Sequence, residues 1–159
     1  ACDEAGTEST WNAMTDTVKA QVGDTQKPLT RSTAAAASPE ELEKVGQTVA
    51  ITSFNQKIKN AAGEDWIKSP FQVALKFGGD QMEARKKIIS AESLSGGERF
   101  DQLLITIEED GLLDDSIKGS MLIVRMQQTG GTWKINKATR VWKCWPKRGH
   151  VVYNSEPCS

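Results

Sequence analysis

The chain has few of the side chains that usually carry chemistry. Its 159 residues include one histidine, one tyrosine and three cysteines. A single histidine, His150, leaves a catalytic triad, a proton shuttle or a multi-histidine metal site without flagged partners. Histidine and cysteine do not fall at the spacing of a structural zinc site. The acidic run Glu108-Glu109-Asp110 and the pair Asp114-Asp115 lack calcium-loop spacing, and a solvated loop accounts for them. No metal, cofactor or catalytic set is expected. No apolar run is long enough to cross a bilayer as a helix, and the mean hydropathy is −0.47. There is no strand–helix–strand repeat and no internal repeat. A formal net charge of −1 argues against nucleic acid as a partner.

What is present suits one soluble domain: 38% hydrophobic and 26% charged residues are enough for a sizeable core without a metal. The small net charge hides two blocks. Residues 92–115 carry eight acidic side chains and one basic one, Arg99; residues 132–150 carry six basic side chains and no acidic one. Such blocks orient a protein against a charged partner, or they face each other across neighbouring strands. Both readings are open at this point.

Three is an odd number of cysteines, so one is left over. Cys144 and Cys158 lie close together around a turn-rich segment, and they are expected to pair. In the chain-entropy model, closing a loop of this size contributes about 3 kcal/mol. Such bonds persist in the periplasm or outside the cell. The alternative is a metal site of the two cysteines with His150, which lacks a fourth ligand.

Cys2 then stands alone at the start of a chain that lacks an initiating Met. Ala1-Cys2 resembles the end of a lipobox, the signal-peptide motif of bacterial lipoproteins. The resemblance implies that the Cys2 thiol receives a diacylglycerol and that the natural mature chain begins at Cys2. Residues 3–10 are polar and tether-like. Residues 1–9 are therefore expected to be a flexible tether and 10–159 a single domain. The resemblance further implies the periplasmic face of a bacterial membrane, with the inner membrane favoured by Asp3.

Periodicity predicts a first helix over 10–22, then a loop to residue 37. Ser38-Pro39-Glu40-Glu41 is a helix start with N-cap, N1 proline and capping-box Glu. The apolar face that follows predicts a helix as far as Gly63, although 48–54 could instead be extended. Alternation of Phe71, Val73, Leu75 and Phe77 predicts a strand. Further strands are expected at 86–94, around Leu103, Ile105 and Ile107, and at 121–128, with an acidic loop over 109–119. Gly130-Gly131 predicts a tight hairpin turn into a strand over 133–144. Trp133, Ile135 and Val141 are expected on one face of that strand, with Lys134, Arg140, Trp142 and Cys144 on the other. A last short strand is expected at 151–153.

The fold class is thus α+β: N-terminal helices on a curved antiparallel sheet of four to six strands, closed by a C-terminal disulfide loop. The closing hairpin, with Thr129-Gly130-Gly131 leading into Thr132-Trp133-Lys134-Ile135, resembles that of the nuclear transport factor 2-like (cystatin-like) superfamily. The resemblance spans residues 38–144. It implies helices cradled by the sheet, with a cone-shaped cavity that serves as an active site in some members. Here the assignable sheet-facing positions are apolar, which speaks against such an activity.

The candidate binding residues are Trp145, Lys147, Arg148 and His150 of the stapled loop, with Lys134 and Arg140 of the basic strand. Trp and Arg are enriched at interaction hot spots. Trp145 could equally pack on Trp142 or Trp133. The expected function is a non-enzymatic, lipid-anchored envelope protein that binds a protein partner. The alternative is a small-ligand binder or enzyme using the cavity between helix and sheet; contact with anionic lipid through the basic side chains is a third. Intact mass of the unlipidated protein, with and without reductant, should show one disulfide and a free thiol at Cys2. Two or more free thiols would overturn the stapled loop.

Overall fold

A computed structural model describes residues 36–79 and 83–159. The expected helix over 10–22, the tether and Cys2 lie outside the described residues. Residues 35–159 form one compact unit. It is an α+β unit with three α-helices and a five-stranded antiparallel sheet. The described helices lie in the middle of the chain, between residues 39 and 78. None of them is long and apolar enough to cross a membrane.

Helix α1 (Pro39–Val45) starts as its sequence predicts. The Ser38 hydroxyl accepts from the Glu41 N–H at 3.3 Å, and the Glu41 carboxylate accepts from the Ser38 N–H at 2.8 Å. It does not run on to Gly63. The chain leaves the helix at Gly46 and pairs as β1 (Gln47–Thr48) with the last strand. Only glycine fits at the break. A Cβ on Gly46 would lie 2.2 Å from Thr139 Cγ2. Helix α2 (Thr52–Asn60) follows, and a 3₁₀ turn at Trp66–Lys68 leads to α3 (Pro70–Gly78).

The segment with Phe71, Val73, Leu75 and Phe77 is therefore helical, not a strand. Ser69 caps it by accepting from the Gln72 N–H at 3.4 Å, and Pro70 takes the first helical position, as in Ser38-Pro39. On the helix, Val73, Ala74 and Phe77 form the inward stripe. Phe71 and Leu75 fall on the other side and are exposed.

The sheet order is β1-β5-β4-β3-β2, with β2 (Ala84–Ser93), β3 (Gln102–Leu112), β4 (Ile117–Thr129) and β5 (Thr132–Cys144). The expected acidic loop over 109–119 is mostly strand. Glu108, Glu109 and Asp110 pair with β2 and β4, which leaves 113–116 as the connection. β4 is central, and both of its faces are buried, as its run of apolar residues requires. β4 and β5 are joined by Gly130-Gly131, whose φ angles of 59° and 78° need glycine in a two-residue turn of the primed type.

One face of the sheet carries Ile105, Leu122, Val124, Met126, Trp133, Ile135 and Ala138 against α2, the 3₁₀ turn and α3. There the Phe54 ring meets Phe77 edge-on at 5.1 Å. The opposite face carries Leu104, Ile123 and Val141 with Leu42 of α1. Val141 therefore does not share a face with Trp133 and Ile135. The reason is a bulge. Arg125 pairs with Lys137 but Met126 pairs with Ile135, so Asn136 is an extra residue and everything after it changes sides. Asn55 of α2 holds this point. Its side-chain amide donates to the Ile135 carbonyl at 2.7 Å, and its carbonyl oxygen accepts from the Ile135 N–H at 3.1 Å.

α1 is docked by charge as well as by Leu42. Glu43 is 6% exposed and takes a two-pronged bond from Arg125, at 3.1 Å to Nε and 2.7 Å to Nη2. The Arg125 bond outweighs burial and holds the Glu43 carboxyl below its ordinary value. Lys137 adds a bond to the Glu43 carbonyl at 3.3 Å.

Asn55→Ala should cost about 2 kcal/mol in urea unfolding, because both backbone groups of the buried Ile135 lose their partners. An unchanged unfolding midpoint would mean that the bulge is held by the sheet alone.

Candidate functional site

β5 ends at Cys144, and Cys144 is bonded to Cys158, with 5.5 Å between their Cα atoms. The segment between them folds back on β5 as a dense loop. The Cys144 N–H donates to the His150 carbonyl at 2.7 Å, and the Arg148 N–H to the Trp145 carbonyl at 3.0 Å. The Arg148 carbonyl accepts from the Ser159 N–H at 2.8 Å. Trp142 and Asn154 exchange two backbone bonds of 2.9 Å each. The expected strand at 151–153 is absent, and this single bridge stands in its place. The chain turns at Gly149 and again beyond Val152, so no run is left to pair.

Two inner ties fix the loop to the sheet. The Tyr153 hydroxyl donates to Glu108 Oε1 at 2.8 Å, and Lys143 Nζ lies 4.9 Å from the Tyr153 ring centre and 3.1 Å from Asp110 Oδ2. Burial first, and then the Glu108 carboxylate, pushes the tyrosine far above its ordinary range, so it stays a donor. The Lys143 side chain crosses from β5 to β3 over Gly119 of the intervening strand. A Cβ on Gly119 would lie 2.7 Å from Lys143 Cε and 3.1 Å from the Tyr153 hydroxyl. At the other tie, the Trp145 Nε1–H donates to the Asp114 carbonyl at 2.8 Å, with Lys118 Nζ 5.6 Å from its ring centre. Asp114 itself closes the β3–β4 turn, its carboxylate accepting from the N–H groups of Ser116 and Ile117. These two backbone bonds hold its carboxyl below the ordinary value.

The acidic and basic blocks thus meet in part across the strands. Lys143 of the basic block reaches Glu108 and Asp110; Glu109 of the acidic block is met at 3.0 Å by Lys87, a β2 residue outside the basic block. His150 is half-buried, and its two ring nitrogens face carbonyl oxygens, Nδ1 that of Val152 at 2.8 Å and Nε2 that of Glu156 at 2.7 Å. Its ring and the two cysteine sulfurs lie within 4.8 Å of one another. In the bonded form both sulfurs are spent on each other, whereas a metal binds thiolates.

What the loop shows to solvent is a different set. Lys147 and Arg148 are exposed, and Val151 and Val152 are 62% and 64% exposed. Lys147 is also the one non-glycine residue with positive φ, at 71°, among the described residues. That conformation costs roughly 1–2 kcal/mol and persists because the neighbours are tied.

Of the six candidate binding residues, the structure brings Lys147 and Arg148 together at the loop surface. Trp145 and His150 serve the loop's own architecture. Trp145 covers the β3–β4 turn. Lys134 stands at the hairpin end of β5, ten residues from Cys144, which at about 3.3 Å per residue is about 33 Å away. Arg140 sits mid-strand on the helix-covered face, paired with Leu122, with its Nε buried and unpartnered among the described residues. The valine pair was missed as a surface feature because two adjacent β-branched residues read as strand.

No protein-family model, no curated protein and no solved structure matches this chain.

Replacing Cys144 and Cys158 by Ser should lower stability by about 3 kcal/mol in urea titration, while Cys2→Ser leaves it unchanged. A loss of stability in Cys2→Ser would mean that a different pair of cysteines supports the fold.

Proposed function

We propose that this chain is the lipid-tethered domain of a bacterial envelope protein and that it binds a protein partner through the stapled C-terminal loop. In this reading Cys2 carries the diacylglycerol. The domain works at the periplasmic face of a membrane, the inner one if Asp3 acts as a retention signal. Its fold is of the nuclear transport factor 2-like kind and its role is non-enzymatic: inhibitor, immunity or accessory protein.

One observation carries the binding role. Val151 and Val152 stand out to solvent on the same loop as the exposed Lys147 and Arg148, a loop whose backbone is tied by a disulfide and by its own hydrogen bonds. Exposed valines on a rigid support bury apolar area in a complex without ordering cost, and the neighbouring cations give orientation. The disulfide suits an oxidising compartment, which supports the envelope placement.

The test is crosslinking capture in bacteria that express the full precursor, comparing the wild type with Arg148→Glu and Val152→Asp. One protein captured by the wild type and lost in both variants supports the reading. Capture that persists in both variants places the interface elsewhere. Release of the protein from membranes by Cys2→Ser tests the anchor separately, and continued membrane retention of that variant would overturn it.

A further inference from the structure

A groove of about 660 Å³ lies between the C-terminal half of α2 and the β4–β5 hairpin. It is at the opposite end of β5 from the stapled loop. Its floor is Ile58, Ile67 and Ile135, and its rim carries Lys59 and Lys134. The volume is that of a small-molecule site.

The charge on this groove has one sign. Lys59 and Lys134 are its charged lining residues, and there is no carboxylate among the groove's lining residues. Both ammoniums are exposed, and neither has an ion pair among the described residues. This differs from the other face, where Lys143, Lys137 and Arg125 are engaged with carboxylates. The opposing influences are the C-terminal end of α2, worth roughly half a negative charge, and the nearby acids Glu64 and Asp65, which are engaged by the Trp66 ring N–H and by Lys68. The groove also holds its shape without a ligand, because Asn55 on its wall is bonded to the Ile135 backbone. Lysines are point charges on flexible stems, which suits a carboxylate head that needs no fixed fork.

We infer that this groove is a binding site for a small organic anion, a carboxylate with a short apolar body. The apolar part rests on the isoleucine floor and the carboxylate lies between Lys59 and Lys134. The site is independent of the proposed partner surface, and the two can fail separately.

The probe is octanoate, titrated into the isotopically labelled full chain with amide NMR, beside octanol and octylammonium. Octanoate should shift the amides of Gly63, Thr132, Lys134 and Asn136 with a submillimolar Kd, and the neutral and cationic analogues should bind about tenfold more weakly or worse. Lys59→Gln with Lys134→Gln should weaken octanoate about tenfold, whereas Lys147→Gln with Arg148→Gln leaves it unchanged. Equal binding of octanol or octylammonium, shifts confined to residues outside the groove, or full affinity in the Lys59/Lys134 variant would each overturn the proposal. The comparison among the three ligands uses the wild-type protein, so it decides the matter even if a variant fails to fold.

Discussion

The arrangement of this sheet depends on one side chain meeting one backbone unit. Asn55 satisfies both the N–H and the carbonyl of Ile135, at the point where Asn136 bulges out of β5. A strand without the bulge would keep one face throughout. With it, Trp133 and Ile135 bury against the helices, and Val141 turns to the other face to meet Leu42, Leu104 and Ile123. The same phase change puts Lys143 on the side where Glu108, Asp110 and Tyr153 lie. Two cores and the anchorage of the C-terminal loop are thus consequences of a single inserted residue.

Charge is distributed according to the same plan. Within the sheet many charges are paired. Lys143 of the basic block meets Glu108 and Asp110 of the acidic block, while Glu109 pairs with Lys87 and Glu43 with Arg125; Lys87, Arg125 and Glu43 lie outside the two blocks. The cations at the ends of β5, at the hairpin groove and on the stapled loop, carry no such ion pair among the described residues. β5 thus has such cations near both ends, with Lys137 and Lys143 paired between them, and each end lies by a different kind of surface. One is a groove lined by isoleucine, the other a loop with two exposed valines.

Local chemistry was legible in the sequence. The Ser38-Pro39-Glu41 cap and the Gly130-Gly131 turn form from neighbours in the chain, and both stand where they were expected. The disulfide followed from counting. Features set by distant residues were not legible. The nine residues of α3 carry four apolar side chains at alternate positions, which reads as a strand, although on the helix they divide into the pair Val73 and Phe77 facing the core and the pair Phe71 and Leu75 facing solvent. The Ser69-Pro70 start was the signal that would have decided it. The bulge has no signature of its own, since the residue that holds it is 80 positions away. The acidic run read as a loop because the lysines that neutralise it come from other strands. Of the candidate binding residues, Lys147 and Arg148 lie at the surface, whereas the Trp145 ring N–H donates to the Asp114 carbonyl and the His150 ring lies between two carbonyls, partners that the sequence did not mark.

The burial of Cys144 sets the pace at which its bond can be exchanged. Cys144 is fully buried and Cys158 half-buried. A thiolate must reach a sulfur directly to displace the other one. The folded loop therefore shields the Cys144 sulfur until the segment between the two cysteines moves aside, so attack by a small thiol at that sulfur counts those excursions. The staple that restrains the loop is also the clock that records how often it opens.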